Sequence, residues 1–159
     1  MSLLALDLGT HTGWALAMPT FPGSFELRLR ESGVQVFDVK RGESPGMRYL
    51  RFRRWLEDVL PGDCSFIVYE APHHRGGAAT EVSAGFSTRV QELCALRAIN
   101  HAAVHSATLK KWCTGRGNAG KEEMLARVCD RWKVVTSDDE ADALALLHFA
   151  LAELVPNGR

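Results

Sequence analysis

Residues 3–17 read LLALDLGTHTGWALA. Leu3 to Leu6 form an apolar run that Asp7 stops, Gly9 and Gly13 punctuate the stretch beyond it, and Trp14 to Ala17 resume the run. This predicts two strands joined by a glycine-containing turn. A Pro- and Gly-rich loop over residues 19–23 comes next. Residues 25–40 then alternate well enough, with Val34 and Val36 set against Gln35 and Phe37, to read as a third strand. The chain therefore opens as an antiparallel three-stranded unit whose first strand ends in an acid.

Beyond that unit the hydrophobic period changes. From Ser44-Pro45 onward, Tyr49, Phe52, Trp55, Leu56, Val59 and Leu60 fall on one helical stripe and Arg48, Arg51 and Arg54 on another, which predicts an amphipathic helix. Residues 65–69, SFIVY, lack polar alternation, as a strand covered on both faces does, and Glu70 ends them just before Ala71-Pro72. A loop with His73, His74, Arg75, Gly76 and Gly77 comes after it. The pattern then predicts a long helix over 80–100, a short strand over 103–105 and a helix capped by Ser106 that runs through Trp112. Residues 114–120 form a glycine-rich break before a helix over about 121–132. A final helix, capped by Thr136, Ser137 or Asp138, reaches about Leu154. Strands first, then strands alternating with helices, predict an α/β fold with a mixed five-stranded sheet flanked by helices, of which the RNase H-like arrangement is one.

The 159 residues fit one domain, expected over 1–155, with 156–159 as a frayed tail. Lys plus Arg and Asp plus Glu both number 19, so total charge gives no reason to expect a nucleic-acid or membrane partner, and any such partner must be read from local clusters. Cys64, Cys94, Cys113 and Cys129 are spread without a CxxC pair, which fits reduced thiols in a bacterial-type cytoplasm. No apolar run approaches the roughly 18 residues that span a bilayer, and the N-terminus lacks a signal peptide's pattern, so no membrane partner is expected.

Four acids sit where acids are awkward. Asp7 and Glu70 each end an apolar run, while Asp139 and Asp142 lie at i and i+3 at the start of the last helix, which is otherwise so apolar that it must be covered nearly all round. Asp142 shares its stripe with Ala145, Leu146 and Phe149, so its carboxylate should point toward the sheet. A buried carboxylate needs a cation, a hydrogen-bonded partner or a proton. If all four converge, hard oxygen ligands without a His/Cys set suit Mg²⁺ or Mn²⁺. Two such ions in one site would activate water against a phosphodiester. Each acid also has a plainer use: Asp7 as a turn former, Glu70 as a loop cap, the others as charges favoured by the helix dipole. The pair Asp138 and Asp142, at i and i+4, is equally allowed by helix register.

Between Glu92 and Glu122 the chain holds no acid, while Arg97, Lys110, Lys111, Arg116 and Lys121 bring five positive charges. Gly115 and Gly117 would let a backbone approach closely, and Lys121 opens a helix, so the segment suits a nucleic-acid backbone. His73, His74 and Arg75 leave the strand that ends in Glu70, and their loop should overhang a site built there, with two flat rings able to stack on bases. Arg48, Arg51 and Arg54 make either a second basic strip or a solvated helix face. Phe86, Trp112 and Trp132 read as core.

Together these motifs resemble the RuvC family of Holliday-junction resolvases, in particular the shorter versions found in phages and prophages. Leu6-Asp7-Leu8-Gly9-Thr10 with Gly13 is similar to the family's opening aspartate strand, and Val68-Tyr69-Glu70 to its glutamate strand. Lys110 through Gly115-Arg116-Gly117 to Lys121 resembles its lysine, Gly-x-Gly, lysine segment. Asp139-Glu140-Ala141-Asp142-Ala143-Leu144-Ala145 resembles its closing helix, which favours Asp139 and Asp142 over Asp138.

The resemblance implies an RNase H-like fold and a homodimer that makes paired, symmetric, Mg²⁺-dependent nicks in four-way DNA junctions. Asp7, Glu70, Asp139 and Asp142 would be catalytic metal ligands, and Lys121 would be catalytic. Lys110, Lys111, Arg116 and Lys121, with His73, His74 and Arg75, would contact DNA. His73 stands where the bacterial resolvases carry an aromatic wedge. The alternatives are a YqgF-like nuclease of the same fold acting on RNA, against which the lysine and Gly-x-Gly segment argues, and a branched-DNA-binding protein without catalysis.

Overall fold

A computed structural model describes residues 1–72 and 76–155. The expectations placed on His73, His74 and Arg75 and on the tail over 156–159 lie outside the described residues. Strand β1 (Ser2–Asp7) is buried along its whole length up to Asp7 because both of its faces are covered. Alternate side chains point to opposite faces of a strand. Leu3 and Ala5 accordingly enter one apolar core, and Leu4 and Leu6 enter the other.

Around this central strand the sheet takes the order β3-β2-β1-β4-β5. β2 (His11–Pro19) pairs antiparallel with β1, and β3 (Leu27–Val36) pairs antiparallel with β2, giving the three-stranded opening unit. β4 (Cys64–Glu70) lies parallel to β1, and β5 (Asn100–Val104) lies parallel to β4. Parallel neighbours need crossover connections, which the helices supply. The mixed five-stranded sheet flanked by helices is the expected architecture.

On one face, α1 (Gly46–Val59) and α2 (Ala78–Arg97) cover the sheet, with Phe52 stacked on Phe86 at 4.0 Å between ring centroids. On the other lie α3 (Ser106–Thr114), α4 (Lys121–Arg131) and α5 (Asp138–Phe149), the last followed by a π-helical turn, Ala150–Leu154. Residues 143–147 of α5 are wholly buried, as its apolar sequence requires. Among the described residues no helix is long and apolar enough to cross a membrane.

Two local expectations are corrected, and a choice among three caps is resolved. The long helix stops at Arg97 rather than Asn100, because Ala98 turns left-handed at φ 55° and the Ile99 amide bonds back to the Cys94 carbonyl; β5 therefore starts at Asn100, three residues early. Ser106 lies inside α3, and His105 occupies the cap position without a side-chain bond. Of the three candidate caps for α5 it is Ser137 that serves, its Oγ accepting from the Glu140 amide at 3.4 Å.

α5 can reach the sheet closely only because residue 13 has no side chain. A Cβ on Gly13 would collide with the Asp139 carbonyl. Backbone on both sides of that contact leaves no flexible atom to yield. Replacing Gly13 by Ala is expected to cost at least about 3 kcal/mol by overpacking, read as the shift in the urea unfolding midpoint.

Candidate active site

Asp7 and Glu70 close adjacent parallel strands, whose register pairs Leu6 with Tyr69, so both carboxylates leave the same end of the sheet. Asp7 is also opposite Gly13 in the antiparallel pair. The glycine that admits the Asp139 carbonyl thus sets the first turn of α5 beside Asp7; that turn carries Asp139, and Asp142 follows at the start of the next turn. Thr12 Oγ1, buried, donates to the Gly9 carbonyl at 2.7 Å and fixes the turn after Asp7. A cleft of about 270 Å³ opens there, with Asp7 and Glu70 on one wall and Thr80 and Ser83 of α2 on the other.

The four acids act on one another electrically. Burial raises Asp7 well above the ordinary carboxylate range, and the charges of Asp142, Glu70 and Asp139 push in the same direction. Asp142 is raised to about 7, first by burial and then by Glu70. Lys121 opposes the shift at both sites and Lys110 at Asp142, so the two lysines stand within electrical reach of the acids.

Among the described residues no three His, Cys, Asp or Glu side chains are gathered closely enough to hold a metal ion as they stand. Repulsion acts across several ångströms, whereas Mg²⁺ takes oxygen ligands at about 2.1 Å, so the two findings are compatible. The donor chemistry fits a hard divalent cation. All four groups are carboxylates, and two of them are driven toward protonation by burial and by the neighbouring acids, a state that a bound cation would reverse.

The basic residues surround this cluster unevenly. Lys121 is mostly exposed and pairs at 3.5 Å with Asp138, the neighbour of the quartet rather than a member of it. Lys110 is half-buried and Lys111 exposed on α3. Arg116 pairs with Glu123. Gly115 and Gly117 serve the loop itself. Gly115 ends α3 at φ 88°, and a Cβ on Gly117 would stand 3.2 Å from the Ala107 carbonyl. The second basic strip is largely engaged within the fold, since Arg48 Nε donates to the Phe37 carbonyl at 3.0 Å and Arg51 pairs with Glu43. Trp112 and Trp132 stack on each other at 5.9 Å beside α5.

Sequence reading passed over Gly13 as a contact, Thr12 and the carboxylate of Glu140, which reaches Ser32 and Lys133. A glycine a few residues past an acidic strand end was the available signal for the first.

The raised carboxyls make stability depend on pH. A carboxyl whose folded pKa exceeds its unfolded value stabilises the chain below the unfolded pKa and loses that contribution as pH climbs through the folded one. For Asp142 the window runs from 3.8 to about 7. In metal-free buffer Asp142→Asn is therefore expected to be more stable than the parent by about 2 to 4 kcal/mol at pH 8 and nearly equal to it at pH 4, measured by urea unfolding.

No protein-family model matches the chain, and comparison with curated proteins returned no match. Solved structures do match. Thermus thermophilus RuvC shares 21% identity, with 96% of each chain covered and a TM-score of 0.71. The same protein in complex with Holliday junction substrate aligns over 92% of this chain and 90% of its own, at 21% identity and a TM-score of 0.65. The yeast mitochondrial Holliday junction resolvase Ydc2 is 14% identical over 91% of this chain and 75% of its own, at 0.58. Identities this low carry the fold and no more: the chain has the fold of the RuvC Holliday junction resolvases.

Proposed function

We propose that the chain is a metal-dependent, structure-selective DNA endonuclease that resolves four-way junctions as a homodimer in the cytoplasm, with residues 1–155 as its nuclease domain. The observation that carries this reading is the convergence, at one end of a RuvC-type sheet, of Asp7 and Glu70 on adjacent strand ends with the helix start bearing Asp139 and Asp142, admitted there by Gly13. Stability alone does not call for such an arrangement; an ion does. The substrate class draws support from the structural neighbours, one solved with a Holliday junction and the other a junction resolvase.

Asp7, Glu70, Asp139 and Asp142 would hold Mg²⁺ or Mn²⁺, with room in the charge count for two ions. Bound there, the cations supply charge neutralisation and activation of water for hydrolysis of a phosphodiester. The chain's own contribution is placement. Lys110 and Lys121 bring positive charge to the rim of the acid cluster, where a phosphate would approach. The ion pair between Lys121 and Asp138 is exposed and therefore weak, so Lys121 is free to exchange it for a substrate oxygen. Lys111, Arg116 and the His73-His74-Arg75 segment would extend contact along the strand. Paired symmetric nicks need two sites related by a two-fold axis, hence two copies.

Purified protein with Mg²⁺ is expected to nick a mobile four-way junction faster than a flap, a duplex or an RNA–DNA hybrid of matched sequence. Preference for the hybrid or for RNA would reassign the substrate. Asp7→Asn should reduce cutting to background while leaving junction binding intact in a gel-shift assay. Lys121→Ala should slow cutting about tenfold or more with less than about 1 kcal/mol change in unfolding free energy, and an unchanged rate would remove Lys121 from the chemistry. Millimolar Mg²⁺ should raise the melting temperature more at pH 8, above the Asp142 value of about 7, than at pH 5, and should do little in Asp7→Asn.

A further inference from the structure

Glu140 lies between Asp139 and Asp142 in sequence, yet its carboxylate turns to the edge of the sheet. Its Oε1 accepts from Ser32 Oγ on β3 at 2.6 Å and from Lys133 Nζ at 2.9 Å, and Lys133 Nζ also donates to Ser32 Oγ at 2.6 Å. Only 16% of the Glu140 side chain is exposed, which sets this triad apart from the ion pairs of the open surface. Three distant segments meet in it: edge strand β3, the connection from α4 to α5, and the first turn of α5.

The first turn of α5 needs an attractive tie. Asp7 is set against Asp139 and Asp142, and Asp142 against Glu70, so like charges at this end of the sheet oppose the close approach of the helix start whenever they are ionised. The Gly13 contact permits a close approach without pulling the helix in. The Ser137 cap is internal to the helix end, and in the first turn only the small Ala141 is buried in the apolar core, ahead of the continuous buried run that starts at Ala143. The charge-assisted bonds of Glu140 to β3 and Lys133 are thus the polar link that draws the turn against the sheet.

We propose that Ser32, Glu140 and Lys133 form a positioning clamp that holds Asp139 and Asp142 beside Asp7 and so sets the affinity of the site for divalent cations. The inference rests on the metal-dependent reading above. None of the three touches the reacting atoms; they act through the backbone of α5, as residues behind metal ligands commonly do.

The test is Mn²⁺ binding to the full chain without DNA, followed by isothermal titration calorimetry, for four variants. Lys133→Met separates the clamp from simple electrostatics. Removing a positive charge near an acidic site by itself tightens cation binding, whereas loosening the clamp weakens it. The expected result is about tenfold weaker binding for Lys133→Met and Glu140→Ala and a smaller loss for Ser32→Ala, which alters one hydroxyl on an edge strand and no charge. Glu140→Gln, whose amide oxygen still accepts both bonds, should stay within about threefold of the parent. Junction cutting by the clamp variants should recover at saturating Mn²⁺.

Binding by Lys133→Met that equals or exceeds the parent's overturns the clamp. So does Glu140→Gln behaving like Glu140→Ala, and so does cutting that stays low at every Mn²⁺ concentration. A parent chain that binds no Mn²⁺, or binding untouched by Asp7→Asn, overturns the underlying metal reading instead.

Discussion

The approach of α5 to β2 at Gly13 governs the organisation of the sheet's acidic end. Two backbones meet there without an intervening side chain, and the helix start that results sits across from the strand end bearing Asp7. A methyl group on residue 13 would clash with the Asp139 carbonyl, so the helix start bearing Asp139 and Asp142 would have to stand off from the sheet. The close contact has an electrical cost, since it brings Asp139 and Asp142 toward Asp7 and Glu70, and the fold offsets that cost with apolar burial further along the same helix. Burial of residues 143–147 on every side anchors the helix from its middle, leaving its acidic first turn to be held by local bonds.

Much of this was legible in the residues. β1 and β4 announce themselves as strands covered on both faces, because a run such as Leu3-Leu4-Ala5-Leu6 has no polar side to offer water. α5 announces itself as a buried helix for the same reason. The ends of elements were less legible. Ala98 adopts a left-handed conformation that alanine gives no warning of, so the helix end and the start of β5 were displaced. Ser106 is an ordinary cap residue by type and an interior helix residue in fact.

The site was legible in part, for a related reason. That Asp7 and Glu70 end apolar runs can be read from periodicity, since each interrupts a pattern that would otherwise continue. Partner choice cannot. Arg51 looks like a free basic group until Glu43 is seen beside it, and Glu140 looks like one more acid in a helix's first turn until its carboxylate is found on Ser32, 108 residues away. Periodicity reports which face of an element is wet; it does not report which polar group lies across the gap.

The acids that meet at this end of the sheet lie far apart along the polypeptide: Asp7 in β1, and Asp139 and Asp142 in α5. A ribosome releases the first long before the others exist. A partly synthesised chain therefore holds half of the centre at most, and a helix as apolar as α5 has nowhere to settle until the sheet that receives it has formed. On the proposed reading, a polypeptide whose synthesis has not passed Asp142 cannot cut nucleic acid, and cutting power comes only when α5 closes over the finished sheet.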